Sequence, residues 1–125
     1  MNIADASIAG WNYGRYEPNY GDGAQFTMGV GRTPANPWGL TDMHGKAAEW
    51  CLSNYAPYPY DPHDGRDDPR VPGLKVVRGG SWNDLAKDAS SAARWRYQPY
   101  QPIYNVGFRV LVEIDGETVV KTAAR

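Results

Sequence analysis

The stretch T41-D-M-H-G-K-A-A-E-W-C51 decides how the chain is read. Asp42 and Glu49 bracket a turn-forming Gly45, His44 sits between them, and Cys51 closes the run. Three meanings are open: a metal loop, an active site, or the end of a half-buried strand. A hard cation wants six to eight oxygens, with backbone carbonyls counted among them. A carboxylate, a tight glycine turn and a second carboxylate seven residues on suit such an ion. The spacing is not that of an EF-hand, which needs acids at positions 1, 3 and 5 and a Glu at 12. The plainer alternative is a surface turn with two solvated acids.

Composition narrows the rest. The chain has 125 residues and a formal net charge of −1, with 14 Gly, 10 Pro, 9 Tyr and 5 Trp. That size fits one domain. The charge gives no footing for nucleic acid or an anionic membrane, which require a clustered basic excess. No apolar run approaches the roughly 18–20 residues that cross a bilayer, and the start MNIADASIAG lacks the features of a signal peptide. A single cysteine forbids an internal disulfide and a multi-cysteine metal site. Aliphatics are sparse and no long window repeats them at helical spacing, which argues against a bundle. The sixteen aromatics argue against disorder, because each carries a large apolar area into a core. The expectation is a compact, loop-rich domain of short strands.

Along the chain, residues 1–25 are turn-rich, and 47–53 (AAEWCLS) suit a short strand. Residues 54–73 form a long Pro- and Asp-rich loop, of the kind that is usually functional or mobile. Residues 74–82 (LKVVRGGSW) are a strand running into a Gly-Gly bend. Residues 89–97 (ASSAARWRY) favour helix slightly by their alanines and strand by their tail. The end, GFRVLVEI-DG-ETVVKT, places two period-2 runs around Asp-Gly, a hairpin near 107–122.

Other chemistry candidates are weak. His44 and His63 have no supporting metal-ligand spacing. Cys51 after Trp50 reads as a small buried hydrophobe, since no partner that would lower its pKa is visible. Asp61, Asp64, Asp67 and Asp68 are interleaved with Arg66 and Arg70, so a self-neutralised loop is favoured over a cation site. The Arg and aromatics of 94–104 suit a binding surface or a small core.

Three separated segments, NPWGLTDMHGKAAEWC (36–51), KVVRGGSWND (75–84) and NVGFRV (105–110), together resemble the C-terminal half of the sulfatase-modifying-factor family of formylglycine-generating-enzyme-like domains. The family pattern runs N-x-[FWY]-G-L-x-D-M-x-G-N-V-x-E-W, then R-G-G-S-W, then G-F-R, and the likeness covers roughly residues 2–112. It implies an α+β, loop-rich variant of the C-type lectin fold with short antiparallel strands. It implies a truncated single domain over 1–125 with the N-terminal half absent, so that an open strand edge invites self-association or a complementary fragment.

The resemblance also implies calcium as a structural cofactor. One ion falls on Asp42, Gly45, Ala47 and Glu49, and a second on Asn2, Ile3, Asp22 and Ala24, with Asn12 and Asn19 as rivals to Asn2. The family enzymes oxidise a substrate cysteine with a copper-binding Cys pair after the G-G-S motif. Here Asp84 stands where the first Cys would be and no Cys follows. Copper is therefore not expected, because Cu(I) needs thiolate ligands. The family's Asn and aromatic in GNVWEW are replaced by Lys46 and Ala48. The expected function is a binding or accessory module with a groove from Ser81, Trp82, Asn83, Asp84, Trp95, Tyr97, Tyr100 and Tyr104. Its ligand would be a peptide, a protein or a glycan. The alternatives are an oxidoreductase-type member whose metal comes from a partner domain, or an inactive fragment.

Overall fold

Residues 48–54 form the strand around which the sheet is built. A computed structural model describes residues 1–11, 14–114 and 117–121. Strand β1 (Ala48–Asn54) pairs antiparallel with β2 (Lys75–Arg78), with Glu49 opposite Arg78 and Trp50 opposite Val77. The register slips between Trp50 and Asn54, where β1 spends four residues against two of β2. Strand β3 (Trp95–Tyr97) lies antiparallel on the far side of β2, and β4 (Val106–Gly107) lies beside β1, giving the order β3-β2-β1-β4. The β1–β4 pair is parallel, where the expectation was of short antiparallel strands. It is two residues long, and after Gly107 the chain leaves the sheet.

Strands β5 (Val110–Ile114) and β6 (Glu117–Lys121) make a separate antiparallel ribbon. The hairpin expected near 107–122 therefore begins at Val110, because Gly107 is spent on pairing with β1. The expected Asp115–Gly116 turn lies outside the described residues. Val110, Leu111 and Val112 are all exposed, so the ribbon shows apolar side chains on both faces. The slight helical preference of 89–97 is overridden: 89–93 are turns and the tail is β3. The one helix among the described residues is a 3-10 helix, Ala6–Trp11. Short strands and few helices make up the fold.

The apolar core is small. Ile3, Ala4, Ile8, Ala48, Val76, Val77, Trp82 and Ala89 are its buried members. Trp82 is wedged edge-on between Phe26 (5.2 Å between centroids) and Tyr104 (6.1 Å). So little aliphatic area leaves much of the ordering to polar contacts, and Asn2, Asp5, Asp42, Arg66 and Ser81 are buried with it. Gly80 is a point of closest packing. Its φ is +65°, and a Cβ there would stand 2.6 Å from the Cα of Ala89. The Gly-Gly bend read from the sequence is thus where β2 turns under the 81–89 loop.

The 54–73 segment is irregular but well tied. Arg66 grips Asp64 at 2.6 Å and Arg70 grips Asp68 at 2.7 Å, as the interleaved charges predict. Tyr60 and Ser53 both donate to Asp67, and Asp61 accepts from the backbone of His63. Arg94 lies over Tyr58 (3.9 Å) and Tyr55 (4.7 Å), so part of the 94–104 basic-aromatic run is spent on holding this loop.

Candidate functional site

The two acid clusters implied by the resemblance are neighbours in space. Asn2 and Gly45 form a parallel bridge, and the Lys46 amide donates to the Asn2 carbonyl at 2.6 Å. Their electrostatics differ sharply.

In the first cluster every carboxylate oxygen is already engaged. Asp42 sits at a left-handed φ of 56° and is buried. Its Oδ2 accepts from the Gly31 amide (2.6 Å) and the Lys46 ammonium (2.8 Å), and its Oδ1 from the Thr33 hydroxyl (2.9 Å). Lys46 also donates to the Gly29 carbonyl at 2.9 Å. Glu49, on β1, is held by both arms of Arg109 at 2.6 Å each. The same guanidinium donates to the carbonyls of Thr41 and Asp42 at 3.2 Å. Arg109 was not singled out from the sequence, although the G-F-R motif contained it.

Burial alone would push the Asp42 carboxyl up. Hydrogen bonds from Lys46, Gly31 and Thr33 outweigh that and hold it at about 2, against an ordinary 3.8. Because the folded value is depressed, the stabilisation is present above pH 3.8 and is lost as pH falls through 2. Lys46→Met should therefore move the acid-unfolding midpoint to higher pH, as followed by circular dichroism. An unchanged midpoint would mean that the pair contributes nothing to acid stability.

The second cluster has acids without cations. Asn2 and Asp5 are fully buried. Asn2 Nδ2 donates to Asp22 Oδ2 at 3.0 Å, while Asn2 Oδ1 has no hydrogen-bond partner among the described residues. Asp5 accepts from the amides of Ser7 and Asp22 at 2.8 Å, and Asp22 from that of Ala24 at 2.8 Å. Among the described residues neither Asp5 nor Asp22 is ion-paired. A buried orphan oxygen beside two uncompensated carboxylates is the donor set that a hard cation fits. Ile3 and Ala24 flank it in sequence, Ile3 buried and Ala24 half-buried. Of the rivals, Asn19 is exposed and Asn12 lies outside the described residues. Asp5 was missed in the sequence. Its signal was the repeated N-x-x-D spacing of NIAD, which only the fold shows to be buried.

The expected groove is only partly a surface. Ser81 is buried and Trp82 sits in the core, so both support the groove from beneath rather than line it. Asn83, Asp84 and Trp95 line a cleft of about 270 Å³ together with Arg15, Leu85, Lys87 and Asp88. Trp95 is 40% exposed there, and Tyr100 and Tyr104 are exposed. Tyr97 is half-buried and meets Trp50 edge-to-face, 6.2 Å between centroids. Asn83 Nδ2 donates to the Tyr104 hydroxyl at 2.7 Å. Asp84 Oδ2 accepts from the Ser81 amide (2.8 Å) and hydroxyl (2.6 Å), and that hydroxyl in turn accepts from Asn105 at 2.8 Å. Asp84 thus closes the turn that follows the Gly-Gly bend.

A larger cavity, about 380 Å³, shares no residue with that cleft. Trp38, Met43, His44, Trp50, Cys51 and Arg78 are among its walls. Sequence spacing hid it, because its walls come from four distant segments. His44 Nδ1 lies 2.7 Å from the Ala89 carbonyl, which makes His44 a cross-link to the 81–89 loop. Burial pushes the Cys51 thiol up, Arg78 opposing and Glu49 adding, so Cys51 is not poised as a thiolate.

With this geometry in view, comparison with known proteins is informative. The sulfatase-modifying factor enzyme 1-like domain family matches residues 2–114. A serine/threonine-protein kinase pkn1 from Chlamydia pneumoniae is 35% identical over 89 residues, covering 66% of this chain and 14% of that protein. Its namesake from Chlamydia caviae is 37% identical over 81 residues, covering 61% of this chain and 13% of that protein. The chain therefore spans a small share of the length of the curated relatives it matches. No solved structure matches.

Proposed function

The chain belongs to the sulfatase-modifying factor enzyme 1-like domain family, and from that premise we propose that it is a binding or accessory module and not a generator of formylglycine. The observation that carries this is Asp84. At the place where the resemblance puts a copper-binding cysteine, a carboxylate is locked onto the Ser81 amide and hydroxyl. A hard carboxylate already accepting two hydrogen bonds is a poor Cu(I) ligand. Cys51, on β1, lines a different cavity. The kinase names belong to the longer relatives; the proposal takes from them only that a segment of this kind sits within a larger chain.

The cleft beside Asp84 is polar and of mixed charge, lined by Arg15 and Lys87 as well as Asp84 and Asp88, and it carries one half-exposed indole. Such a surface suits an extended polar ligand, a peptide or a glycan, gripped by hydrogen bonds and a ring. Calcium would be held by the Asn2 and Asp22 side chains, with backbone oxygens of the Ile3 and Ala24 segments as the resemblance implies. It would neutralise Asp5 and Asp22 and order the N-terminal segment, so its binding free energy would add to folding. The fold is read as the lectin-like variant typical of this family.

Two measurements test the proposal. Purified chain is incubated with a sulfatase-type cysteine peptide, Cu(I) and oxygen; the expected result is an unchanged peptide mass, and the mass loss of the aldehyde product would overturn it. A peptide library and a glycan array are then probed with the wild type and Trp95→Ala. Binding should fall at least tenfold in the variant, and ligands that bind both equally would place recognition elsewhere.

A further inference from the structure

The resemblance assigns a calcium to Asp42, Gly45, Ala47 and Glu49, and the side chains around that turn disagree with it. Lys46 is the decisive residue, because Arg109 belongs to the family's own pattern while Lys46 replaces its Asn. Two acids, Asp42 and Glu49, face two fixed cations, Lys46 and Arg109. The cluster is neutral before any metal arrives. Lys46 Nζ bonds the Asp42 carboxylate and the Gly29 carbonyl at once, the mix of carboxylate and backbone oxygens that calcium collects. A divalent ion sharing Asp42 would be repelled by an ammonium already 2.8 Å from its oxygen.

The backbone supports the same conclusion. Lys46 has a φ of 73°, a left-handed conformation that Asn enters readily and a long side chain does not. A strained residue that persists points to work done by its side chain. That work is visible: the ammonium ties the 29–33 segment to the 42–49 turn, since Asp42 also holds Gly31 and Thr33.

We infer that the Lys46 ammonium takes the place of calcium at this turn, so that the tether between the 29–33 segment and the turn is independent of metal. The inference uses the family ligand set for this turn and not the Asn2–Asp22 site, so the two stand or fall separately.

The test is calcium stoichiometry by equilibrium dialysis on the wild type, Lys46→Asn and Asp42→Asn. Lys46→Asn should bind one calcium more per chain than the wild type, whether the wild-type count is none or one. Asp42→Asn should leave the wild-type count unchanged. An equal count in the wild type and a folded Lys46→Asn would overturn the inference, as would the loss of one calcium in Asp42→Asn. Should Lys46→Asn fail to melt cooperatively, the Asp42→Asn comparison decides alone. A wild-type count of none would remove the proposed Asn2–Asp22 calcium and leave this inference intact.

Discussion

Gly45→Ala should cost about 3–5 kcal/mol, close to the whole stability of a small domain. Gly45 has a φ of +78°, and a Cβ built there stands 2.0 Å from the Asn2 carbonyl oxygen and 2.6 Å from its carbon. Both are backbone atoms of a fully buried residue. The carbonyl cannot yield, because it accepts the Lys46 amide and seats the N-terminal segment against the turn. Gly39 is the internal control. Its φ is +77°, but no atom lies within 4 Å of its would-be Cβ. Gly39→Ala should therefore cost only the left-handed strain, about 1 kcal/mol. Urea melts of the two variants separate strain from collision. Equal losses would mean that Asn2 does not pack on Gly45.

How far the sequence reveals this molecule depends on the kind of contact. Strands β1 and β2 were readable from local pattern, and so was the Gly-Gly bend, because alternation and glycine act within a few residues. The self-neutralised 61–70 loop was readable for the same reason: Asp64–Arg66 and Asp68–Arg70 are two residues apart. The parallel pairing of β4 was not, since it joins Ala48 to Val106 and nothing local marks a two-residue strand. The two acid clusters divided in the same way. The resemblance brought out Asp42 and Glu49, yet no spacing reveals that Arg109, sixty residues on, already neutralises Glu49. Lys46 was visible as a departure, and only its position beside Asp42 gives the departure a charge-balancing meaning. Trp82 was expected in the groove; its burial and its edge-on contacts with Phe26 and Tyr104 put it in the core instead.

Arg109→Met should cost about 2–3 kcal/mol, the second largest loss expected here. Removing one partner of a buried, bidentate pair leaves the other charge uncompensated, a penalty of about 3–5 kcal/mol when both are fully buried. Here the side chains are 14% and 26% exposed, so solvent screening places the loss below that range. Arg109→Lys should recover only part of it. An ammonium cannot span both Glu49 oxygens and also reach the carbonyls of Thr41 and Asp42. Glu49→Ala should lose stability comparably, because it leaves the Arg109 guanidinium without its carboxylate. The double variant Arg109→Met/Glu49→Ala should be clearly less destabilised than the sum of its parts, since no lone charge is left behind. Chemical denaturation of the set reads all of this at once. Additive losses would demote Arg109 from the clamp that joins β1 to the 41–42 turn to an ordinary surface charge.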